Sequence, residues 1–498
     1  MTKYVDLLIL AADAGSRPQT HFGGMRTIGS HKAAWAARQH GYTVQVISRV
    51  QIFTLEQVVR VALPFVGPDT IIGVSTALMI STDSSNPRDA NAGIYYDNQR
   101  HVQKMIDATN SLRVLYDNPV LLGGTNADAY KDMFDADYCI KGEAENSLPM
   151  LLDKIKRHGI QEKAYDWDIT TCNFKWHPTD FIQQKEPLPL EMDRGCIFKC
   201  KFCQYDQTGK RRGTFEKSTE ILRQELIDNY DKYKTTYYWL MADTFNDDDI
   251  RMNEFCDVLE SLPFKIHFAG FTRLDLLFRF QKTARRLYEN GLVGCAFGIE
   301  SLHPAASNAI GKGWNGRKGK EALKHLYKNI FEENISFTMM NILGLPGEPI
   351  EHALQSVDWY LEADMGDVLY QPLGVSDPAR RPSYISSSEF DRDPSKYGYS
   401  FPDPKDPIYW VNDQTDFRKC LEMADIIATR VQPNNRKHGN AWENIVHLSA
   451  SGLSPKEIKV AGVDNIAHET AGVALAQAKQ YIVDLQRYSL QKRSLTNL

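Results

Sequence analysis

RGCIFKCKFCQYD, residues 194–206, sets Cys196, Cys200 and Cys203 in a C-x3-C-x2-C array. Three thiolates within eight residues can wrap one face of a [4Fe–4S] cluster and leave its fourth iron without a protein ligand. Structural zinc sites and electron-transfer clusters normally take four protein ligands, so an open iron implies that a substrate or cofactor binds there. The competing reading of the same spacing is a zinc site completed by a distant fourth ligand. Directly upstream, PLPLEMDRG (187–195) reads as a strand, and a helix begins near Ser218. The array therefore lies in a loop at the carboxyl end of a strand, where barrel enzymes carry their active sites.

Working outward, the alternation of strand and helix continues. TTYYWLMAD (235–243), KIHFAGFTR (265–273), VGCAFGIES (293–301), SFTMMNILGLPG (336–347) and DVLYQPLG (367–374) read as strands, with helices such as STEILRQELIDNYDKY (218–233) between them. Six repeats are too few to close an eight-stranded barrel, so a partial, open (β/α)6 barrel is expected over residues 185–385. Residues 1–160 carry a second series of short Val/Ile/Leu-rich strands: VDLLILAA, YTVQVIS, TIIGVST, PVLLGG and DYCIKG. Helical segments such as HKAAWAARQHG and RHVQKMIDATNS separate them. That pattern predicts an α/β, doubly wound parallel sheet with ligands at the carboxyl ends of its strands. STDSSNPRDANAGIYYDNQ (81–99) reads as an inserted loop and 161–185 as a linker. From 386 to 498 a Pro/Tyr/Asp-rich stretch precedes three amphipathic helical patterns, giving a mainly helical C-terminal region expected to cap the open side of the barrel. Tyr397, Tyr399, Tyr409 and Trp410 there read either as an aromatic pocket or as packing.

The 498 residues include 42% hydrophobic and 24% charged side chains at a net charge of −5, which argues against a protein held to nucleic acid or membrane by bulk charge. No apolar run reaches the length of a membrane helix, and the start MTKYVDLLILAADAG is too short and too acidic for a signal peptide. The other cysteines (139, 172, 256, 295 and 420) show no disulfide spacing, so a reducing cytoplasm is the expected location. Lys210, Arg211 and Arg212 form a local basic run that reads either as a solvated loop or as a dock for an acidic electron donor.

The array, with Phe202 as its aromatic member, resembles the signature of the radical S-adenosylmethionine (radical SAM) superfamily. Four further segments follow in that family's order. MADTFND (241–247) resembles the loop that holds the methionine amino group, carried over here onto Asp243, Thr244 and Phe245, with Ala242 in place of the family's first acid. GFTRLDLL (270–277) supplies Arg273 and Asp275. GIES (298–301) supplies Glu300, reaching the ribose or the methionine end, with Ser301 beside it. GLPGE (344–348), with Gly344 and Pro346, resembles the turn that lies against the adenosine. The resemblance implies a [4Fe–4S] cluster and S-adenosylmethionine as cofactors, reductive cleavage to a 5′-deoxyadenosyl radical, and an external donor of the flavodoxin or ferredoxin type.

The first 160 residues resemble the cobalamin-binding domain that precedes the barrel in many such enzymes. LLGGTNA (121–127) and DADYCIKGEAENSLPMLL (135–152) carry the likeness, with Gly123 and Gly124 set to let a corrin or nucleotide tail approach the backbone. In QTHFGG (19–24), His21 and Gly24 have the spacing of a lower axial ligand loop, but Gln19 replaces the usual Asp. His21 thus reads as either a ligand or a polar loop residue. The implied function is radical methyl transfer to an unactivated centre, cobalamin-dependent if the domain binds its cofactor. Otherwise a degenerate domain would serve rearrangement, cyclisation or RNA modification. A tRNA methylthiotransferase is disfavoured because only Cys139 and Cys172 precede the array, and a peptide-modifying enzyme because Cys420 stands alone. From a different class, a non-catalytic iron–sulfur or zinc protein remains the alternative.

Overall fold

A computed structural model describes residues 4–12, 25–76, 92–124, 127–140, 142–156, 168–205, 207–312, 316–379, 388–406, 408–439 and 442–494. Short runs of Val, Ile and Leu form the first sheet: β1 (Leu7–Leu10), β2 (Val44–Ile47), β3 (Ile71–Ser75), β4 (Val120–Gly123) and β5 (Tyr138–Ile140). All pair in parallel in the order β2-β1-β3-β4-β5. This is the flavodoxin-like doubly wound order, whose switch point lies between β1 and β3. Helix α1 (Ile28–Gln39) and, further along, α5 (Ala144–Lys156) cover one face. Helices α2 (Leu55–Ala62) and α3 (Ala92–Arg113) cover the other, with α4 (Ala127–Tyr130) between β4 and β5. Helix α3 starts at Ala92, inside the stretch read as a loop; beyond Asn91 no Pro interrupts AGIYYDNQ, and the helix runs on unbroken.

The second sheet has six parallel strands in sequential order: β6 (Leu188–Glu191), β7 (Tyr237–Met241), β8 (His267–Thr272), β9 (Leu292–Glu300), β10 (Ser336–Leu343) and β11 (Gly366–Pro372). Between them run α6 (Thr219–Tyr233), α7 (Asp249–Glu260), α8 (Leu274–Arg279), α9 (Gln281–Glu289), α10 (Pro304–Ala309), α11 (Gly316–His325) and α12 (Glu351–Ala363). Alternate strand residues such as Tyr238, Leu240, Phe268 and Phe297 pack against these helices. The sheet is open between β6 and β11, the partial barrel expected from six repeats.

The C-terminal region packs both on the edge of the second sheet and inside it. After α13 (Glu389–Arg392), helix α14 (Phe417–His438) lies on β11, and the Asn435 amide both donates to and accepts from the Val368 backbone at 2.9 Å. That pairing satisfies an edge strand that would otherwise be open to further strands. Helix α15 (Trp442–Ala450) enters the barrel. Its Ile445, Val446 and Leu448 are buried with Trp239, Ala269, Val293 and Ala296 on the face opposite the surrounding helices. Small residues make this possible: a Cβ on Gly294 would stand 2.8 Å from Ile445. After α16 (Pro455–Ala461), helix α17 (Val463–Ser494) returns to the first sheet, where Tyr481 and Leu485 are buried in its core.

The two sheets meet along β6. Arg26, before α1, and Arg49, after β2, both reach Glu186, at 2.7 and 2.5 Å. Further up the same edge Lys32 pairs with Glu191, and Arg194 joins Glu191 (2.7 Å) to Glu145 of α5 (2.5 Å). Met25 packs against the cluster inside the barrel. The carboxyl edge of the first sheet therefore looks toward the barrel interior.

Candidate active site

The cysteine loop leaves β6 at its carboxyl end and folds back on itself. Cys196 donates its N–H to the Gln207 carbonyl and accepts one from Lys210, each at 3.0 Å, and Cys203 donates to the Cys200 carbonyl at 3.0 Å. All three thiols are unbridged and partly accessible. The Cys196 thiol faces the Thr244 hydroxyl at 3.8 Å, and an Arg273 Nη lies 3.9 Å from the Cys200 sulfur. Arg273 is fixed in that place: its guanidinium stacks 3.9 Å from the Phe198 ring centre, and Asp275 grips it bidentately at 3.0 and 2.9 Å. Burial pushes the Cys196 and Cys203 thiols up, and the nearby Asp243 carboxylate adds to it. Holding those two as thiolates here therefore calls for a cationic occupant.

The donor set fits an iron–sulfur cluster: three soft sulfurs on one loop with one fixed cation beside them. Among the described residues no three His, Cys, Asp or Glu side chains converge as they would around a single metal ion. A cluster makes no such demand, because each sulfur binds a different iron.

Asp243, Arg273 and Glu300 all stand at or just beyond the carboxyl ends of β7, β8 and β9, so the fold brings the expected cradle to the same end as the thiols. Asp243 is exposed, and its carbonyl accepts the Thr244 hydroxyl at 2.6 Å. Phe245 is core, packed on Phe255 and Phe268. Glu300 adopts a left-handed backbone (φ 63°) that turns its carboxylate back along the strand. There Oε1 meets Lys312 Nζ at 2.8 Å, and the same ammonium donates to the Gly298 carbonyl at 2.5 Å. A Cβ at residue 298 would stand 2.5 Å from that Glu300 oxygen, which is why the segment begins with glycine. Lys312 also lies 5.8 Å from the Phe202 ring centre, tying the strand end to the cysteine loop. Ser301 is occupied as a cap, accepting the His303 N–H at 2.8 Å on its hydroxyl.

The Gly344 turn is held from outside the barrel. Its carbonyl accepts the Tyr399 hydroxyl (2.8 Å) and the Asn412 amide (3.2 Å). Gly344 has φ 86°, and a Cβ there would stand 2.2 Å from the buried Trp410 ring. Tyr399 and Trp410 are thus packing for this turn, not a free aromatic pocket. Pro346 is half-buried on the turn.

Gly123 ends β4, and its carbonyl accepts the Thr76 N–H at 2.8 Å; among the described residues nothing lies within 4 Å of where its Cβ would be. Gly124 follows with φ 121°. His21 and the rest of QTHFGG lie outside the described residues. Of the basic run, Arg212 is engaged by Asp248 and by Asp247 at 3.5 Å, while Arg211 is exposed and Lys210 half-buried.

Three residues of this neighbourhood escape a reading by motif: Lys312, Asp193 and Arg251. Asp193, two residues beyond β6, is buried against Arg251; burial, only partly offset by Arg251, pushes its carboxyl up to about 7. Asp247 meets the same guanidinium at 3.4 Å. No local spacing marks these partners.

The family model described as the Radical SAM superfamily matches residues 190–360, which span the cysteine loop, the cradle and the Gly344 turn. The chain carries a radical SAM domain. A curated relative, an uncharacterized methyltransferase of Pyrococcus horikoshii, is 26% identical over 256 residues, covering 46% of this chain and 53% of the relative. The chain thus matches about half the length of that relative. Among solved structures, TsrM from Kitasatospora setae, a radical S-adenosylmethionine methyltransferase with cobalamin and a [4Fe–4S] cluster bound, matches at TM-score 0.55 and 15% identity. It covers 74% of this chain and 76% of that one. OxsB, a cobalamin-dependent S-adenosylmethionine radical enzyme with aqua-cobalamin bound, matches at TM-score 0.56 and 13% identity, covering 97% of this chain and 80% of that one. These likenesses fix the fold: both sheets and the helical C-terminal region beside the radical SAM domain. Among the described residues no helix is long and apolar enough to cross a membrane.

Proposed function

We propose that this chain is a cobalamin-dependent radical SAM enzyme that transfers a methyl group to an unactivated centre. One observation carries the reading. Three unbridged thiols stand at the carboxyl end of the first strand of an open parallel barrel, with Arg273 at the Cys200 sulfur, and the carboxyl edge of a second, flavodoxin-like sheet faces that barrel's interior. The methyltransferase names of the curated relative and of TsrM support methyl transfer over other radical outcomes.

When bound, the cluster and S-adenosylmethionine supply one-electron cleavage of a carbon–sulfur bond, and cobalamin supplies a methyl carrier. The chain's own residues do the placing. Cys196, Cys200 and Cys203 hold the cluster. Asp243 and Thr244 receive the amino group of the methionine end, and Glu300, turned back by Lys312, receives the ribose or methionine end. Arg273 balances the thiolate charge. The Gly344–Pro346 turn lies against the adenosine, and Gly123 and Gly124 leave the sheet edge open to a corrin or its tail. Helix α15 closes the barrel from within and keeps water out of its lower half. The electron donor is an acidic flavodoxin- or ferredoxin-type protein approaching Lys210 and Arg211, in a reducing cytoplasm.

Anaerobic reconstitution tests this reading. The expected result is bound iron, 5′-deoxyadenosine on reduction with S-adenosylmethionine, and corrinoid absorbance, with Cys200→Ala losing both iron and cleavage. A cluster without any cleavage of S-adenosylmethionine would sink the enzyme reading. Cleavage without a corrinoid would leave the first domain as scaffold and favour rearrangement or cyclisation.

A further inference from the structure

The cysteine loop and the Gly344 turn stand on different strands, yet one stretch of chain grips both. The Lys201 carbonyl, inside the cysteine array, accepts the Glu389 N–H at 2.8 Å and the Ser388 hydroxyl at 3.1 Å. Gln204, directly after Cys203, donates its amide to the buried Asp391 carboxylate and to the Gly374 carbonyl, each at 2.9 Å. The other oxygen of Asp391 accepts the Ser376 N–H at 2.9 Å, just beyond β11. Farther along the same stretch come Tyr399 and Asn412 on the Gly344 carbonyl, with Trp410 bound through its indole N–H to the Leu373 carbonyl at 2.9 Å.

We propose that residues 388–406 and 408–412 form a strap that sets the spacing between the cluster-bearing loop and the Gly344 turn, with Asp391 as the positioning residue at the cysteine end. The proposal rests on the reading of that site given above. Its physical basis is directional. A buried carboxylate that accepts from a different donor on each oxygen fixes the Gln204 side chain in one place, and Gln204 fixes the loop next to Cys203. Ligand-supporting hydrogen bonds of this kind hold metal sites by keeping the ligands preorganised. The strap makes the C-terminal region part of cofactor placement, whichever substrate the enzyme takes.

The Asp391–Gln204 contact has a polarity that can be exchanged. In Asp391→Asn, with the amide oxygen kept on Ser376, two N–H donors face each other; in Gln204→Glu, two carboxylates do. The double variant puts an amide donor opposite a carboxylate again. The four proteins are reconstituted anaerobically, and the rate at which an iron chelator bleaches the iron–sulfur absorbance is measured. Melting of the cluster-free chains is followed in parallel by circular dichroism. Each single variant is expected to release iron faster by about 10–100-fold, the usual loss for a ligand-supporting contact, and the double variant to recover only the part that belongs to the Asp391 contact, because the Gly374 carbonyl loses its Gln204 donor in it. At the other end, Tyr399→Phe is expected to leave iron retention unchanged and to weaken S-adenosylmethionine binding by about tenfold, the worth of one buried hydrogen bond. Singles that keep iron as the native chain does would overturn the strap. So would iron loss that tracks a lower melting temperature with no recovery in the double. A native chain that takes up no cluster would instead overturn the site reading beneath it.

Discussion

Glu300 shows how much a single position can ask of its neighbours. Its left-handed backbone is a conformation that favours glycine, yet the side chain is required, so the strain is held by the Lys312 ion pair folded over Gly298. Gly298→Ala is therefore expected to push the carboxylate away from Lys312 and to weaken S-adenosylmethionine binding by about tenfold or more, a loss of roughly 1–3 kcal/mol, while iron content stays native. Calorimetric titration of the reconstituted protein checks this, and unchanged affinity would show that Glu300 does not need that pose. The glycine and the glutamate are legible in the sequence because they lie two residues apart on one strand. Lys312 is not, because its pairing depends on how the chain beyond α10 folds back over β9. The cysteines belong to the first kind and Asp193 with Arg251 to the second: local spacing can be read, whereas a partner 58 residues away can only be seen folded.

Every strand of both sheets stands where its apolar run places it, because short Val-, Ile- and Leu-rich segments bounded by turn residues have few other solutions. The short α13 and α16 show no periodic pattern, but helices α14, α15 and α17 are equally visible as such patterns. Their destinations are not: an amphipathic stripe says that a face is buried, not against what. Helix α15 reads as one of three amphipathic helices in a region expected to cap the barrel, and it fills the barrel from within, while α14 supplies the Asn435 amide that completes β11. Asn435→Ala would leave the N–H and the carbonyl of Val368 unpaired in a buried place. The expected cost is about 1–3 kcal/mol per orphaned group, measured as a lower midpoint in urea. A midpoint within error of the native one would show that the edge is satisfied in some other way.

Across the whole molecule, the joint between the two sheets is ionic and dry. Burial alone would raise the Glu186 carboxyl, but Arg26 and Arg49 hold it down at about 2, against 4.5 for a free glutamate. Its folded value lies below its unfolded one, so its contribution to stability is fully present above about pH 4.5 and is lost as pH falls toward 2. Glu186→Gln should flatten that acid limb in denaturant titrations. At neutral pH it should cost about 3–5 kcal/mol, because two arginines are left buried without their carboxylate. An unchanged acid limb would place the interdomain stability elsewhere. A different consequence follows from helix α17. The Tyr481 hydroxyl accepts the Ser48 N–H at 3.0 Å across 433 residues of chain, and Leu485 is fully enclosed in the first sheet's core. On the ribosome, at about 5–20 residues per second, the early sheet must wait roughly 20–90 s for the segment that completes it. Through that interval the patch that Tyr481 and Leu485 later cover stays bare, a natural point of hold for a chaperone.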